Sequence, residues 1–312
     1  MTVTRPAVRP FRPQDAEAVA GIRRTTEPFL VLTAETLLWK VTSSPASQRV
    51  RWLVAEDADG TPLGCAETGL VAGSTRADEG FLHVAVPPDR TGHGVGGALV
   101  TAGEARLTEI GARRAHTWVR DEPHALAFAG NRGYERRRAA RFLGLDLVRA
   151  ALPPLPDPLP PGVELRTAAD FGENLRPLYE ADLECAADEP GEVATGRMPY
   201  EDWLRLNWGR PDYDRVLTSV ALVGGEVAAF SVAQTDGRER YWSGMTGTRR
   251  PFRGRGLARL AKLDSLRRAR AAGIRHAFTG NDATNAPMLA VNRRFGYTAV
   301  GEQWRCVRRL QG

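Results

Sequence analysis

Thr246-Gly-Thr-Arg-Arg-Pro-Phe-Arg-Gly-Arg-Gly-Leu-Ala-Arg-Leu-Ala-Lys262 reads as the end of a strand, a basic glycine loop and the start of a helix. The run from Tyr241 to Thr248 is β-prone. Gly254 and Gly256 punctuate the loop, and a helix begins at about Leu257. Leu257, Leu260, Leu263, Leu266 and Ala269 recur near the helical period, and Gly273 closes the run. A glycine loop that feeds a helix N-terminus aims several free backbone N–H groups at one point. With the helix dipole, that point is an anion site, most naturally for a pyrophosphate.

Arg253-x-x-Gly256-x-Ala258 resembles the acyl-CoA pyrophosphate loop of the GCN5-related N-acetyltransferases. Asn285-Ala-Pro-Met-Leu-Ala-Val-Asn-Arg-Arg-Phe-Gly-Tyr297 resembles the second signature of that family, an Asn opening a helix that ends in Gly-aromatic. The resemblance implies an α/β fold whose mixed, mostly antiparallel sheet is flanked by helices, and acetyl-CoA as donor. It carries pyrophosphate binding to Arg253, Gly254, Arg255, Gly256, Leu257 and Ala258. It carries pantetheine pairing to the backbone near Thr246 and Thr248, and a contact with the cofactor arm to Asn285. A Cβ at the glycines would crowd a phosphate. Arg255 and Arg259 are equally well read as solvated side chains.

The chain has 312 residues, 42% of them hydrophobic and 26% charged, with three widely spaced cysteines. Those figures predict two ordinary domains of a soluble protein, without a disulfide framework or a zinc site. Neither a membrane span nor the apolar core of a signal peptide is present in the sequence, and the expected location is the cytoplasm. A net charge of +6 invites a nucleic-acid reading. The arginines, however, are scattered through both halves among acids, which argues against one. The five histidines show no paired spacing for a metal.

Residues 1–147 read as one α/β unit, and residues 148–162 as a proline-dense connector. Residues 163–312 repeat the order of the first unit. Gly60 and Gly225, Gly94 and Gly256, and Gly133 and Gly296 stand 165, 162 and 163 residues apart. Such near-constant spacing between like positions predicts a tandem duplication. Gly92-x-Gly94-x-x-Gly97 also spells a dinucleotide fingerprint, but two helices and a hairpin precede it, contrary to a Rossmann unit.

The two copies differ. The first has Thr91 at the loop arginine, Glu122 at the helix Asn, and Ala129 where many family members place a tyrosine acid. Glu122 would set a carboxylate near an anionic cofactor, so the first copy is expected to be degenerate, structural or nonproductive. Tandem members such as mycothiol synthase are similarly asymmetric, with the active copy at the C-terminus. In the second copy Asn292 takes the tyrosine position. It is read either as a hydrogen-bond donor to the sulfur or as a partner of nearby backbone. The acids Asp182, Glu184, Asp188, Glu189 and Glu192 crowd one helix end. They form a solvated surface or, with Glu184, Asp188 and Glu189 foremost, a cluster that recruits a cationic amine and takes its proton through water.

The resemblance therefore implies acetyl transfer from acetyl-CoA to a primary amine on a small, cationic molecule, with no nucleic-acid or membrane partner. Protein lysine acetylation and non-catalytic acyl-CoA sensing are the alternatives. Oligomeric state is not legible.

Overall fold

The computed structural model describes residues 6–188 and 196–310. Their contacts divide them into two compact units. The first unit takes 6–140, 196–197 and 302–310, and the second takes 141–188 and 198–301.

In the first unit β1 (Ala7–Pro10) leads to α1 (Ala16–Thr26) and α2 (Ala34–Ser43). Then come β2 (Arg51–Glu56), β3 (Pro62–Leu70), β4 (Glu79–Ala85) and α3 (Val95–Glu109). After them follow β5 (Arg114–Arg120), α4 (Pro123–Gly130) and β6 (Glu135–Asp146). Thr33 caps α2, its side chain accepting from the Thr36 N–H, which satisfies one of the free donors of the first turn.

The second unit repeats this plan. It has β7 (Val163–Thr167), α5 (Arg176–Ala186), the short α6 (Tyr200–Trp203), β8 (Ser219–Val223), β9 (Glu226–Thr235) and β10 (Arg240–Thr248). It continues with α7 (Leu257–Ala271), β11 (His276–Asp282) and α8 (Ala286–Arg294), and the chain then enters β12 (Thr298–Arg309).

In the first unit the strand order is β1-β2-β3-β4-β5-β12, antiparallel except for β4 beside β5. In the second it is β7-β8-β9-β10-β11-β6, with β10 parallel to β11. The dividing points thus lie inside β6 and β12, not in the proline-dense stretch. Residues 302–309 of the last strand line β5, from Gln303 opposite Arg120 to Arg309 opposite Arg114. Cys306 accordingly sits in the first unit's core with Leu82, Leu99 and Leu107. Residues 143–147 instead join Leu263, Leu266, Tyr241 and Phe295 of the second unit. Each buried Leu or Phe of these clusters contributes about 1.5–3 kcal/mol of transfer free energy. A strand that supplies several of them belongs energetically to the unit it fills.

The connector packs on the second unit. Leu152 is buried in the same cluster as Leu266, and Arg267 and Arg270 of α7 donate to the carbonyls of Pro153 and Ala150. Among the described residues no helix is long and apolar enough to cross a membrane.

Candidate active site

Parallel pairing of β10 and β11 runs from Arg240 opposite His276 to Ser243 opposite Thr279 and then ends. On its other side β10 stays paired with β9, but the register slips between Ser243 and Thr246. The extra residue bends β10, as a bulge does, and turns it away from β11. The edge of β10 around Thr246 and Thr248 is left open toward β11, the side on which a pantetheine arm would pair. Gly247 is required here for packing, since a Cβ would stand 2.6 Å from the Cys185 sulfur of α5.

Beyond Thr248 the loop delivers Gly254 and Gly256 with φ of 78° and 73°. Only glycine adopts that region freely; a Cβ at Gly254 would meet nothing within 4 Å, and one at Gly256 only the end of the Arg259 side chain at 3.7 Å. Gly256 is the N-cap of α7 and no side chain caps this helix, so its first-turn N–H groups point outward without intrahelical partners. Leu257 is buried against Ala221, Ala228 and Ala229, anchoring the helix start on the sheet. Arg255 and Arg259 are exposed. Asn285 caps α8, its Oδ1 accepting from the Met288 N–H at 3.3 Å.

The acidic run divides. Glu184 accepts from Arg249 Nε at 2.9 Å and from the Arg250 N–H at 2.6 Å. Burial works against its charge, but the two donors outweigh it and hold the carboxyl below its ordinary range. Asp188 bridges Arg250, at 2.7 and 3.0 Å, and Arg253. Those guanidinium groups hold its carboxyl well below the usual range. Both acids therefore brace the phosphate loop and its arginines. Glu189 and Glu192 lie outside the described residues.

Asp182, two residues before Glu184 on α5, does something else. It lines an 80 Å³ cavity with Trp203, Asn207, Tyr213 and Gln234, and that cavity ends on Gly244 and Met245 of the β10 bulge. The Trp203 indole donates to Asp182 Oδ2 at 2.7 Å. Burial raises the Asp182 carboxyl above its ordinary range, against the lowering effect of that hydrogen bond.

Asn292 is fully buried on α8. Its Nδ2 donates to Asn281 Oδ1 of β11 at 2.7 Å, while its own Oδ1 has no partner. The partner is thus a side chain and not the backbone. Tyr241 is fully buried with its hydroxyl 2.8 Å from that of Ser265.

The first unit holds a formed groove of 860 Å³. Pairing of β4 with β5 ends at Phe81 opposite His116, although both strands continue. The groove follows the parted strands from the glycine loop at Thr91–Gly94 to Glu27 and Gln303. Gly96, Gly97 and Val100 of α3 form one wall, and Phe128, Ala129 and Tyr134 another. Glu122 lines it too, with Arg120 at 3.1 Å partly offsetting its charge. Glu27 accepts from Gln303 at 2.7 Å and from Arg23, also at 2.7 Å.

The model of the acetyltransferase (GNAT) family matches residues 20–134 and again 175–297. This chain belongs to the GNAT family. Mycothiol acetyltransferase of Catenulispora acidiphila is 28% identical over 247 residues, 76% of each chain. The protein of that name from Acidothermus cellulolyticus is 30% identical over 234 residues, 69% of this chain and 67% of that one. A GCN5-related N-acetyltransferase from Sphaerobacter thermophilus superimposes with a TM-score of 0.73 at 23% identity, over 98% of this chain and 96% of the other. A tandem GNAT protein from the clavulanic acid biosynthesis pathway gives 0.73 at 19% identity, over 98% and 99%. At these identities the two structures speak for the fold, and the doubled match for a tandem GNAT chain.

Two titratable residues of the second unit stand out in the folded chain. Asp182 was one acid among five, and only packing separates it from Glu184. Lys262 did carry a signal, being one of two lysines beside 41 arginines and standing within an apolar helical stripe.

Proposed function

We propose that the second unit transfers an acetyl group from acetyl-CoA to the primary amine of a small, cationic molecule. The observation that carries the reading is Asp182, a carboxylate held by Trp203 on the wall of a cavity that Gly244 and Met245 of the β10 bulge also line. The uncapped start of α7 and the left-handed Gly254 and Gly256 suit the donor's pyrophosphate. Acetyl-CoA supplies the thioester carbonyl that the amine attacks.

A free alkylamine resembles Lys, with a pKa of about 10.4, whereas a thiol leaves from about 8.5, so deprotonating the amine is the larger deficit at neutral pH. Asp182 meets it, attracting the ammonium into the cavity and receiving its proton through water. Trp203 fixes the carboxylate. A cavity of 80 Å³ takes the amine end of the acceptor and leaves the remainder outside. The name carried by the mycothiol acetyltransferase relatives supports a small-molecule acceptor.

A second reading concerns the first unit. A groove of 860 Å³ lies within the range of ligand pockets, so this copy also binds an acyl-CoA arm, without turnover. Thioester consumption with an amine panel, followed by mass spectrometry of the product, tests the main reading. Acetylation of small amines that is lost in Asp182→Asn supports it. Acetylation of protein lysines alone, or binding without consumption, would replace it with one of the alternatives.

A further inference from the structure

Among the described residues of the second unit, Lys262 Nζ, Asn292 Oδ1 and Tyr297 OH are buried polar atoms without a hydrogen-bond partner. Their residues are 0%, 0% and 3% exposed. By the repeat spacing they correspond to Val100, Ala129 and Tyr134 of the first unit. All three of those residues line the 860 Å³ groove. The unpartnered atoms thus belong to positions that, in the first unit, wall the groove, which is where the second unit's own donor arm would lie. Lys262 Nζ stands 5.2 Å from the centre of the Tyr297 ring.

Packing alone does not account for the lysine. Val100 fills the same turn of α3 with an apolar side chain. An amine buried without a partner costs several kcal/mol as an ion, and less once it is neutral. Tyr134 donates to Glu104 at 2.9 Å, whereas Leu266 stands at that position on α7 and leaves the Tyr297 hydroxyl unsatisfied. The second unit has therefore exchanged an internally satisfied groove for one whose polar groups await a partner.

The geometry points to Lys262 as the proton donor to the sulfur of the departing coenzyme A, replacing the tyrosine this chain lacks. The inference rests on the reading that the second unit is the transfer site. As the C–N bond forms and the C–S bond breaks, the C–S electron pair goes to sulfur and the Lys262 ammonium supplies its proton. The nitrogen's proton leaves through Asp182, and Lys262 is recharged from solvent once the thiol departs. Counted from the free amine, one proton is lost at nitrogen and one is gained at sulfur; the ammonium's earlier proton has already passed through Asp182 to solvent. Burial lowers the Lys262 amine to about 7, which makes the ammonium a stronger acid than a thiol. The titratable groups facing it are Tyr297 and, beyond it, Tyr241, both raised by burial and neutral at this pH. Asp264 of the same helix is engaged with Ser219 and Arg268.

With only Lys40 and Lys262 present, protein carrying ¹³C-labelled lysine shows two ε-carbon signals, and Lys262→Met assigns them. The expected result is a Lys262 signal that titrates near neutrality. Coenzyme A moves that titration upward, because a thiolate stabilises the ammonium, and desulfo-coenzyme A does not. In kinetics Lys262→Met lowers kcat/KM by ~10²-fold, at the low end for a positioned general acid, and removes the limb assigned to the lysine. Lys262→Gln behaves likewise. Identical responses to coenzyme A and its desulfo analogue, or an unchanged pH profile in folded Lys262→Met, would overturn the assignment. Failure of the wild type to acetylate any amine would instead remove the proposed reaction, and the lysine signal would still report whether sulfur meets Lys262.

Discussion

Trp203 donates its indole N–H to Asp182 at 2.7 Å, holding the carboxylate at the wall of a cavity that ends on the β10 bulge. This bond separates Asp182 from Glu184 and Asp188, whose partners are arginines.

Asp182→Asn is expected to lower kcat by ~10²-fold or more, the lower bound for a general base, with acetyl-CoA affinity retained. Its effect on stability has the opposite sign. The folded carboxyl holds its proton to higher pH than the unfolded one. Its contribution is therefore full below the unfolded value and lost as pH rises through the folded one. At neutral pH the variant should melt no lower than the wild type. Loss of activity together with a collapsed Tm would assign Asp182 to the fold instead.

The two glycine loops give a second test. Glu in place of Gly256 or Gly94 adds bulk and negative charge at a left-handed helix cap. Calorimetry should find two acetyl-CoA equivalents on the wild type and one on each variant, with turnover falling far more for Gly256→Glu. Equal losses of turnover would contradict the assignment of transfer to the second unit.

Lys262→Met should stabilise the chain in a pH-dependent way. Burial moves the amine from 10.5 to about 7. Between those values the unfolded chain binds more protons, so wild-type stability rises with pH. The lysine's penalty is largest below about pH 7, on the order of 4 kcal/mol, and shrinks toward pH 10. Melting curves should show the Met variant's advantage greatest in acid. An advantage independent of pH would mean that the amine is not buried as an ion.

Glu79 supplies a test confined to the first unit. It is buried, 2.5 Å from His116 Nε2 and 2.7 Å from an Arg114 nitrogen. Burial opposes its charge, but the two partners prevail and keep its carboxyl below the ordinary range. Its stabilisation is thus present above the unfolded value and lost as pH falls through the folded one. Glu79→Gln should cost about 3–5 kcal/mol, as for a buried pair broken from one side. Denaturant melts at neutral pH and near pH 3 should show that deficit narrowing in acid.

Expression of residues 1–147 alone checks where the first unit ends. Its β5 takes its neighbour from residues 302–309, and Cys306 fills its core. The fragment should lack a cooperative melt, because an unpaired β5 edge and an open core remain. A fragment as stable as the full chain would show that β12 is dispensable to that unit.

The glycine loop, the helix after it and the second signature were legible along the chain, because each depends on residues near one another in sequence, and the duplication was legible as a near-constant spacing between like glycines. The left-handed φ at Gly254 and Gly256 is a local necessity, and so is Asn285 at a helix start. Tertiary structure decided what depends on partners far apart. It turned Glu184 and Asp188 toward arginines more than 60 residues away and enclosed Asp182 beside Trp203. It also took the last strand into the first unit. A carboxylate's proton affinity follows from its burial and its neighbouring charges. Spacing along the chain cannot reveal these, so Asp182, Glu184 and Asp188 acquired different chemistry only when the chain folded around them.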